Sequence, residues 1–227
     1  MSEIPKIIHM IWIGPKNPPL WCIDSWRENY INKYKDWKFM LWTENEIDGL
    51  TMINKQIYDS EPTLRGKSDI VRYDILFKYG GIFLDADSYY IEKPNSNLDR
   101  LMLMAKNTGF FCANEPKQKH LYANGVFACT KNNSICFKII THLKQTYFTE
   151  KSKNQHKYKI WKVTGPVPFS KIVKENLNKV TIFPSEYFFP ESYHKNNRKI
   201  ELDKLAMMFP GSFMYQYWLS HTDEYKE

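Results

Sequence analysis

Long apolar runs are missing from this chain of 227 residues. None approaches the ~20 consecutive apolar residues that a membrane-spanning helix needs. The opening Met1–Lys6 (M-S-E-I-P-K) lacks the charged-then-apolar pattern of a secretory signal. No transmembrane segment and a cytoplasmic location are therefore expected. Cysteine is scarce. Cys22, Cys112, Cys129 and Cys136 form no C-x-x-C pair and stand at no zinc-ligand spacing with histidine. They read as buried thiols of a reducing compartment. Acidic residues number 25 against 32 lysines and arginines, a formal net charge of +7. That balance suits an anionic partner such as a nucleoside diphosphate, a polyanion or a membrane surface. No single basic block stands out, however, and most aromatics lie in apolar stretches rather than between basic residues, so no nucleic-acid partner is expected. Internal repeats and a recognisable linker are also absent, which leaves 1–227 as one domain. No residue presents itself as a catalytic nucleophile.

A hydrophobic fraction of 43% with 16% aromatics describes a globular protein with one sizeable core. Lys6–Ile13 (K-I-I-H-M-I-W-I) is near-continuously apolar and ends at Gly14-Pro15, as a buried first strand would. Leu20–Tyr34 carries a helical stripe of Trp21, Ile23, Trp26, Tyr30 and Ile31, and Trp37–Trp42 is an aromatic second strand. Strand, helix, strand implies a crossover unit and parallel pairing. Further strands are expected at Ser88–Ile91, Phe110–Ala113, Gly125–Thr130, Val180–Phe183 and Tyr187–Phe189, an amphipathic helix at Ser134–Tyr147, and a turn at Thr164–Phe169 that opens a helix to about Leu177. Lys151–Lys159 reads as a lysine-rich loop.

The most informative stretch is Ser68–Asp87, S-D-I-V-R-Y-D-I-L-F-K-Y-G-G-I-F-L-D-A-D. Asp69 and Arg72 are three apart, hence on one helix face, where an ordinary ion pair would also satisfy them. Gly80-Gly81 can take the positive φ that ends a helix and reverses the chain. Ile82-Phe83-Leu84 is too short for a helix and suits a strand covered on both faces. Asp85 and Asp87 then leave the carboxyl end of that strand, where open α/β sheets bind ligands. Two carboxylates with no basic neighbour in sequence invite a divalent cation.

This block resembles the D-x-D signature domain of glycosyltransferase family 32, which includes yeast-type initiating mannosyltransferases and capsular polysaccharide enzymes; the catalytic domains of clostridial glucosylating toxins look related. The resemblance spans the first strand, S-D-x-x-R, G-G-x-F-L-D-x-D and, more loosely, Asn124-Gly125 and Thr164-Gly165-Pro166. It implies an α/β fold of GT-A type with a mixed, mainly parallel central sheet. About 1–100 would form the donor half, and about 101–227 the acceptor side and closing segment. It further implies a retaining, metal-dependent hexosyltransferase using a nucleotide-sugar donor, UDP-sugar first and GDP-mannose second, and a glycan or protein acceptor. By the same resemblance Asp87 is the direct ligand of Mn²⁺ or Mg²⁺, and Asp85 faces the ribose and sugar and reaches the metal directly or through water. Asp69 and Arg72 would bind the sugar hydroxyls, Trp12 would stack on the base, and Asn124 would lie near the reacting sugar. Ser220 or His221 would complete the metal shell.

Two departures stand out. Phe83 replaces the family's usual tyrosine, and the tail Tyr215–His221 matches the family's closing motif in poor register. The rival enzyme is a haloacid-dehalogenase-type phosphatase with Asp85 as nucleophile and Asp87 as acid. Tyr89 stands where that family wants Thr or Val, and no downstream acidic pair is found. The non-enzyme rival is a protein of the same fold that binds nucleotide sugar or glycan without turnover.

Overall fold

The computed structural model describes residues 3–94, 97–116, 118, 120–153, 159–192 and 201–219. In chain order the elements are β1 (Ile7–Ile11), α1 (Leu20–Asp24), α2 (Ile31–Lys33), β2 (Lys38–Trp42), α3 (Glu44–Asp48), α4 (Lys55–Ser60), α5 (Leu64–Tyr79), β3 (Gly81–Leu84), β4 (Ser88–Tyr90), α6 (Asp99–Met104), β5 (Phe110–Asn114), β6 (Tyr122–Cys129), α7 (Ser134–Lys153), α8 (Ile160–Val163), α9 (Pro166–Lys174), β7 (Thr181–Phe183), α10 (Leu205–Met208) and β8 (Met214–Gln216). Six strands form a sheet in the order β2-β1-β3-β6-β5-β7. The β2, β1 and β3 strands run parallel, β6 is antiparallel to both β3 and β5, and β7 is parallel to β5. The sheet is mixed and mainly parallel, as expected.

Side chains alternate across this sheet with the period of two that a strand imposes. Phe83, Phe110, Cys112, Phe127 and Cys129 face α5, α7 and α9, while Ile82, Leu84, Phe111, Ala113, Val126 and Ala128 face Ile23, Trp26, Tyr30 and α6. Helices on both sides explain why β3 reads as an uninterrupted apolar run. All four cysteines are buried and unpaired. His9, in the middle of β1, is fully buried. The Trp42 indole N–H donates to its Nδ1 at 3.1 Å, so its Nε2 carries the proton and donates to the Gly80 carbonyl at 2.9 Å. Burial holds its pKa down at about 4. It is a neutral structural pin between β1, β2 and the α5–β3 turn. That turn requires its glycines: Gly80 and Gly81 have φ of 66° and 102°. A Cβ on Gly81 would lie 2.6 Å from the Ile7 carbonyl.

Between α1 and α2 the helix widens into a π-helical stretch, Ser25–Tyr30. The Ser25 hydroxyl donates to the Cys22 carbonyl and accepts from the Tyr90 N–H at 2.9 Å, and the Trp26 indole donates to the Ser88 carbonyl at 3.2 Å. This helix thereby fixes β4. Antiparallel to β4 runs β8, with Ser88 opposite Gln216, making a small second sheet just past the carboxyl end of β3.

Three expectations are corrected. Tyr187–Phe189 is not a strand: Ser185–Tyr187 is a 3₁₀ turn, and Phe188 and Phe189 are both buried where a strand would alternate. The helix expected at Ser134–Tyr147 continues to Lys153, so the start of the expected lysine-rich loop is helical, and 154–158 lie outside the described residues. The segment Leu20–Tyr34 is helical, but not one regular α-helix.

A buried acid outside the sheet gives a first prediction. Asp74 on α5 accepts from the Ile53 N–H at 2.6 Å, and its other carboxylate oxygen has no partner. Burial, opposed by the Ile53 and Asn54 backbone bonds, raises its pKa to about 6. Below the unfolded value both states are protonated and nothing is lost. As pH rises through 4 to 6 the unfolded chain ionises first, and above about 6 the full cost of about 3 kcal/mol is present. Asp74→Asn keeps the acceptor and is expected to flatten this loss, with urea midpoints at pH 4.5 and 7.5 drawing closer than in the wild type.

Candidate active site

Arg72 is the centre of a buried polar cluster at the carboxyl end of β3. Its guanidinium has five donors in a rigid fork. Nε donates to the Ser68 carbonyl at 3.2 Å, Nη2 to the Ser68 hydroxyl at 3.1 Å, and Nη1 to the Asn124 carbonyl at 2.9 Å. It also pairs with Asp69 and with Asp85, each at 3.3 Å. Burial alone would lower its pKa, but Asp85 and Asp69 outweigh that and raise it. Its Cζ lies 4.4 Å from the centre of the Phe83 ring, a cation–π contact that a phenylalanine makes without needing a hydroxyl partner.

Asp69 is 8% exposed and held from three sides. Asn124 Nδ2 donates to one oxygen at 2.7 Å, the Thr164 hydroxyl donates to the other at 3.0 Å, and Arg72 pairs with it. Burial raises its pKa despite those partners. The Asn124 amide is also within 3.2 Å of the Tyr73 hydroxyl. Asp69 and Arg72 thus do form the intrahelical pair that their spacing permits, but buried and cross-linked to two other elements.

A bulge explains how Asn124 reaches them. Cys112 of β5 pairs with Phe127, and the next residue, Ala113, pairs with Ala123, so Asn124, Gly125 and Val126 have no partner on β5. Extra residues on one strand bend it and re-aim its side chains. Here the bulge sends the Asn124 carboxamide to Asp69 and its carbonyl to Arg72, while the Gly125 carbonyl accepts from the Asp85 N–H at 3.0 Å. A Cβ on Gly125 would lie 2.3 Å from Asp85 Oδ2. Gly125→Ala is therefore expected to displace the Asp85 carboxylate and weaken ligand binding at this site at least about tenfold, ~1.4 kcal/mol, with a smaller loss of stability. Calorimetric titration alongside thermal melting checks both.

Asp85 keeps 35% of its side chain open. Burial raises its pKa to about 7, with Arg72 opposing and the charges of Asp87 and Asp69 adding to the rise. Asp87 sits at the turn into β4. The Gln216 amide donates to its Oδ1, the Leu219 N–H to its Oδ2 at 2.9 Å, and its carbonyl accepts from the Tyr217 N–H at 3.0 Å. The tail therefore closes over Asp87. Ser220 and His221, expected to complete a metal shell, lie outside the described residues. Trp12 follows β1, half-buried, its indole N–H donating to the Lys16 carbonyl at 2.8 Å.

Sequence reasoning missed several members of the site. Glu115, just past β5, is pushed up to about 7 by burial and by the charge of Asp85. Thr164 and Tyr73 orient the Asp69–Asn124 pair, and Gln216 reaches Asp87 from 129 positions away. Asp69, Asp85, Asp87 and Glu115 against one guanidinium make this corner acidic in a chain of formal charge +7. Among the described residues no three His, Cys, Asp or Glu side chains converge as a complete metal cage. A cleft of about 590 Å³ between α7 and α9 is lined by none of these residues and opens near Glu175, at the other end of α9 from Gly165.

Residues 2–164 match the model of a protein family described as capsular polysaccharide synthesis protein. The chain belongs to that family. Inositol phosphoceramide mannosyltransferase 1 of Schizosaccharomyces pombe is 29% identical over 161 residues, 66% of this chain and 47% of the relative. An uncharacterized glycosyltransferase of Acanthamoeba polyphaga mimivirus is 30% identical over 146 residues, 58% of this chain and 52% of that one. The chain thus spans about half the length of these relatives. Among solved structures, the PaToxG glycosyltransferase superposes with a TM-score of 0.55 at 20% identity, covering 78% of this chain and 71% of its own. A glycosyltransferase involved in glycosylation of the major capsid of PBCV-1 gives 0.55 at 11% identity over 98% of both chains. These likenesses establish that the capsular polysaccharide synthesis family member described here has the GT-A glycosyltransferase fold.

Proposed function

We propose that the chain is a retaining glycosyltransferase that moves a hexose from a nucleoside-diphosphate donor to a hydroxyl of a glycan or protein. One observation carries the proposal: Asp69, Arg72 and Asn124 are locked in a buried network beside Asp85 and Asp87, at the sheet edge where this fold class binds ligands. A network held by Thr164, Tyr73 and Phe83 needs little reorganisation on binding, which is how fixed dipoles favour a transition state. The mannosyltransferase names of the yeast relatives support a mannosyl donor. A UDP-bound toxin glycosyltransferase domain of the same fold, superposing with a TM-score of 0.51 at 12% identity, supports a nucleotide-linked donor.

The donor set fits a hard divalent cation. Two carboxylates, Asp85 and Asp87, leave one strand end; burial first, and then the charge of Asp87, raises the Asp85 pKa, and a cation would relieve the repulsion between the two. When bound, Mn²⁺ or Mg²⁺ offsets the charge that develops on the departing diphosphate. Asp69 accepts hydrogen bonds from donor-sugar hydroxyls, its orientation set by Asn124 and Thr164. Arg72 holds Asp69 and Asp85 in register and turns positive charge toward the diphosphate. Asn124 fixes the sugar against Asp69, and Trp12 offers its half-buried ring to the base. Retention is what the family resemblance implies: the acceptor oxygen would join the anomeric carbon on the face that the diphosphate leaves, and the departing phosphate oxygen would take the acceptor proton, so no protein nucleophile is needed.

A phosphatase of the haloacid type gains no support from the family match or the fold. The test is nucleotide release from a panel of UDP- and GDP-sugars, with Mn²⁺ and with EDTA, coupled to NMR of the product's anomeric proton. Metal-dependent release of one nucleotide with retained configuration supports the proposal. Release of inorganic phosphate from phosphate monoesters without nucleotide-sugar turnover defeats it, and tight donor binding without turnover favours a binding protein.

A further inference from the structure

The acids of this corner differ in how they are held. Asp69 is taken by Asn124, Thr164 and Arg72, Asp85 by Arg72, and Asp87 by Gln216 and the Leu219 N–H. Among the described residues no donor reaches the half-buried Glu115 carboxylate; only burial and the charge of Asp85 act on it. Its backbone, in contrast, is fixed. The Glu115 N–H donates to the Leu121 carbonyl at 2.9 Å, and its carbonyl accepts from the Gln118 N–H at 3.3 Å, closing a turn with Pro116 in second position. A carboxylate on a rigid backbone with both oxygens unused is an acceptor for hydroxyls from outside the chain.

Its place along the sheet says which hydroxyls. The strands β1 and β3 run parallel, β6 is antiparallel to β3, and β5 is antiparallel to β6, so β1, β3 and β5 all end at one edge. Trp12, Asp85 and Glu115 are each the first residue past those strands, and β6 brings Asn124 in between the last two. Under the proposed function this edge carries base, diphosphate and sugar in that order. Glu115 comes next, beyond the sugar, two strand spacings or about 10 Å from Asp85. With no cation or N–H beside it, its charge opposes the anionic half of the donor and suits a neutral partner.

We propose that Glu115 binds the acceptor, taking a hydrogen bond from the hydroxyl next to the one that reacts, and so selects a neutral glycan over an anionic one. This rests on the reading of the site as a nucleotide-sugar pocket. A serine or threonine brings only the hydroxyl that reacts, whereas a sugar brings a second beside it. The carboxylate accepts from that neighbour, orients the ring, and repels a uronate or phosphate in its place.

The test is transfer by the full chain at pH 8, where Glu115 is ionised, from a UDP- or GDP-hexose with Mn²⁺. The acceptors are methyl glucoside, galactoside and mannoside, the matching methyl uronides, and a Ser/Thr peptide. Calorimetry gives donor affinity, and thermal melting checks each variant's fold. The wild type is expected to prefer neutral glycosides to uronides at least about tenfold in kcat/KM. Glu115→Ala is expected to raise the glycoside KM about 10–100-fold, while donor affinity holds or tightens. Glu115→Gln keeps an oxygen acceptor without the charge; it is expected to retain most glycoside transfer and to narrow the preference over uronides at least about fivefold. A side chain that merely shapes the turn would lower both acceptor classes together, and that result overturns the proposal. A loss of donor affinity in Glu115→Ala as large as the rise in glycoside KM puts Glu115 on the donor, and overturns it as well. So does a wild type that hydrolyses the donor, or glycosylates the peptide, yet uses no glycoside. A wild type with no nucleotide-sugar turnover of any kind defeats the glycosyltransferase reading itself, and this inference with it. Should Glu115→Ala fail to fold, Glu115→Gln carries the decision.

Discussion

Arg72→Met is expected to unfold far more easily than the wild type at pH 8, by about 3–5 kcal/mol. The substitution keeps most of the side-chain volume above Phe83 but leaves Asp69 and Asp85 without their shared cation. Arg72 lowers the pKa of both acids against the burial that raises them. Its removal lifts both folded values further above the unfolded ones. Acids raised in this way cost nothing when both states are protonated, and they cost most above the folded pKa. The deficit of Arg72→Met should therefore shrink as pH falls from 8 to 5. Urea denaturation at the two pH values, with the Asp69→Asn/Asp85→Asn/Arg72→Met triple variant alongside, checks this. Recovery of stability at pH 8 in the triple variant is the expected result. An equal deficit at both pH values would mean that Arg72 acts through packing alone.

Asp87→Asn is expected to reduce sugar transfer roughly 10³-fold, about 4 kcal/mol of transition-state stabilisation, while leaving the fold intact. The asparagine remains isosteric between the Leu219 N–H and the Gln216 amide, and that amide can turn to present whichever end is needed. What is lost is the negative charge that a divalent cation would require. Asp87→Asn should be folded and inactive, Arg72→Met unstable because two acids are stranded. Melting temperatures and initial rates over a range of Mn²⁺ concentrations separate the two, and rates that recover at high Mn²⁺ would show that Asp87 governs cation affinity rather than the chemical step.

The sheet was legible where chemistry is local. Ile82-Phe83-Leu84 announces a strand covered on both faces, and Gly80-Gly81 announces the reversal before it; both stand as read, with positive φ at each glycine. Asp69, Arg72, Asp85 and Asp87 could be singled out because they lie within one stretch whose spacing places them around one strand end. Their roles toward donor and metal came from resemblance. The rest was illegible for physical reasons. The bulge at Asn124–Val126 depends on how two antiparallel strands slip past each other, which no periodicity in β6 reports. The β4–β8 pairing joins three-residue strands far apart in the chain, too short to alternate recognisably. Gln216 gave no signal because a glutamine in a strand of buried neighbours has no distinctive spacing. Tyr187–Phe189 misled because adjacent aromatics resemble a strand, yet Pro184 opens a 3₁₀ turn that buries Phe188 and Phe189 together.

Under the proposed function, the Asp69–Arg72–Asn124 network is a pocket for a donor sugar, with the diphosphate toward Asp87. A crystal structure of the chain soaked with a UDP- or GDP-hexose and Mn²⁺ tests it most directly. Sugar hydroxyls are expected within hydrogen-bond distance of Asp69 and Arg72, the base against Trp12, and the cation at Asp87. A nucleotide sugar bound elsewhere, such as in the cleft between α7 and α9, with the Asp69–Arg72 network untouched, would contradict it.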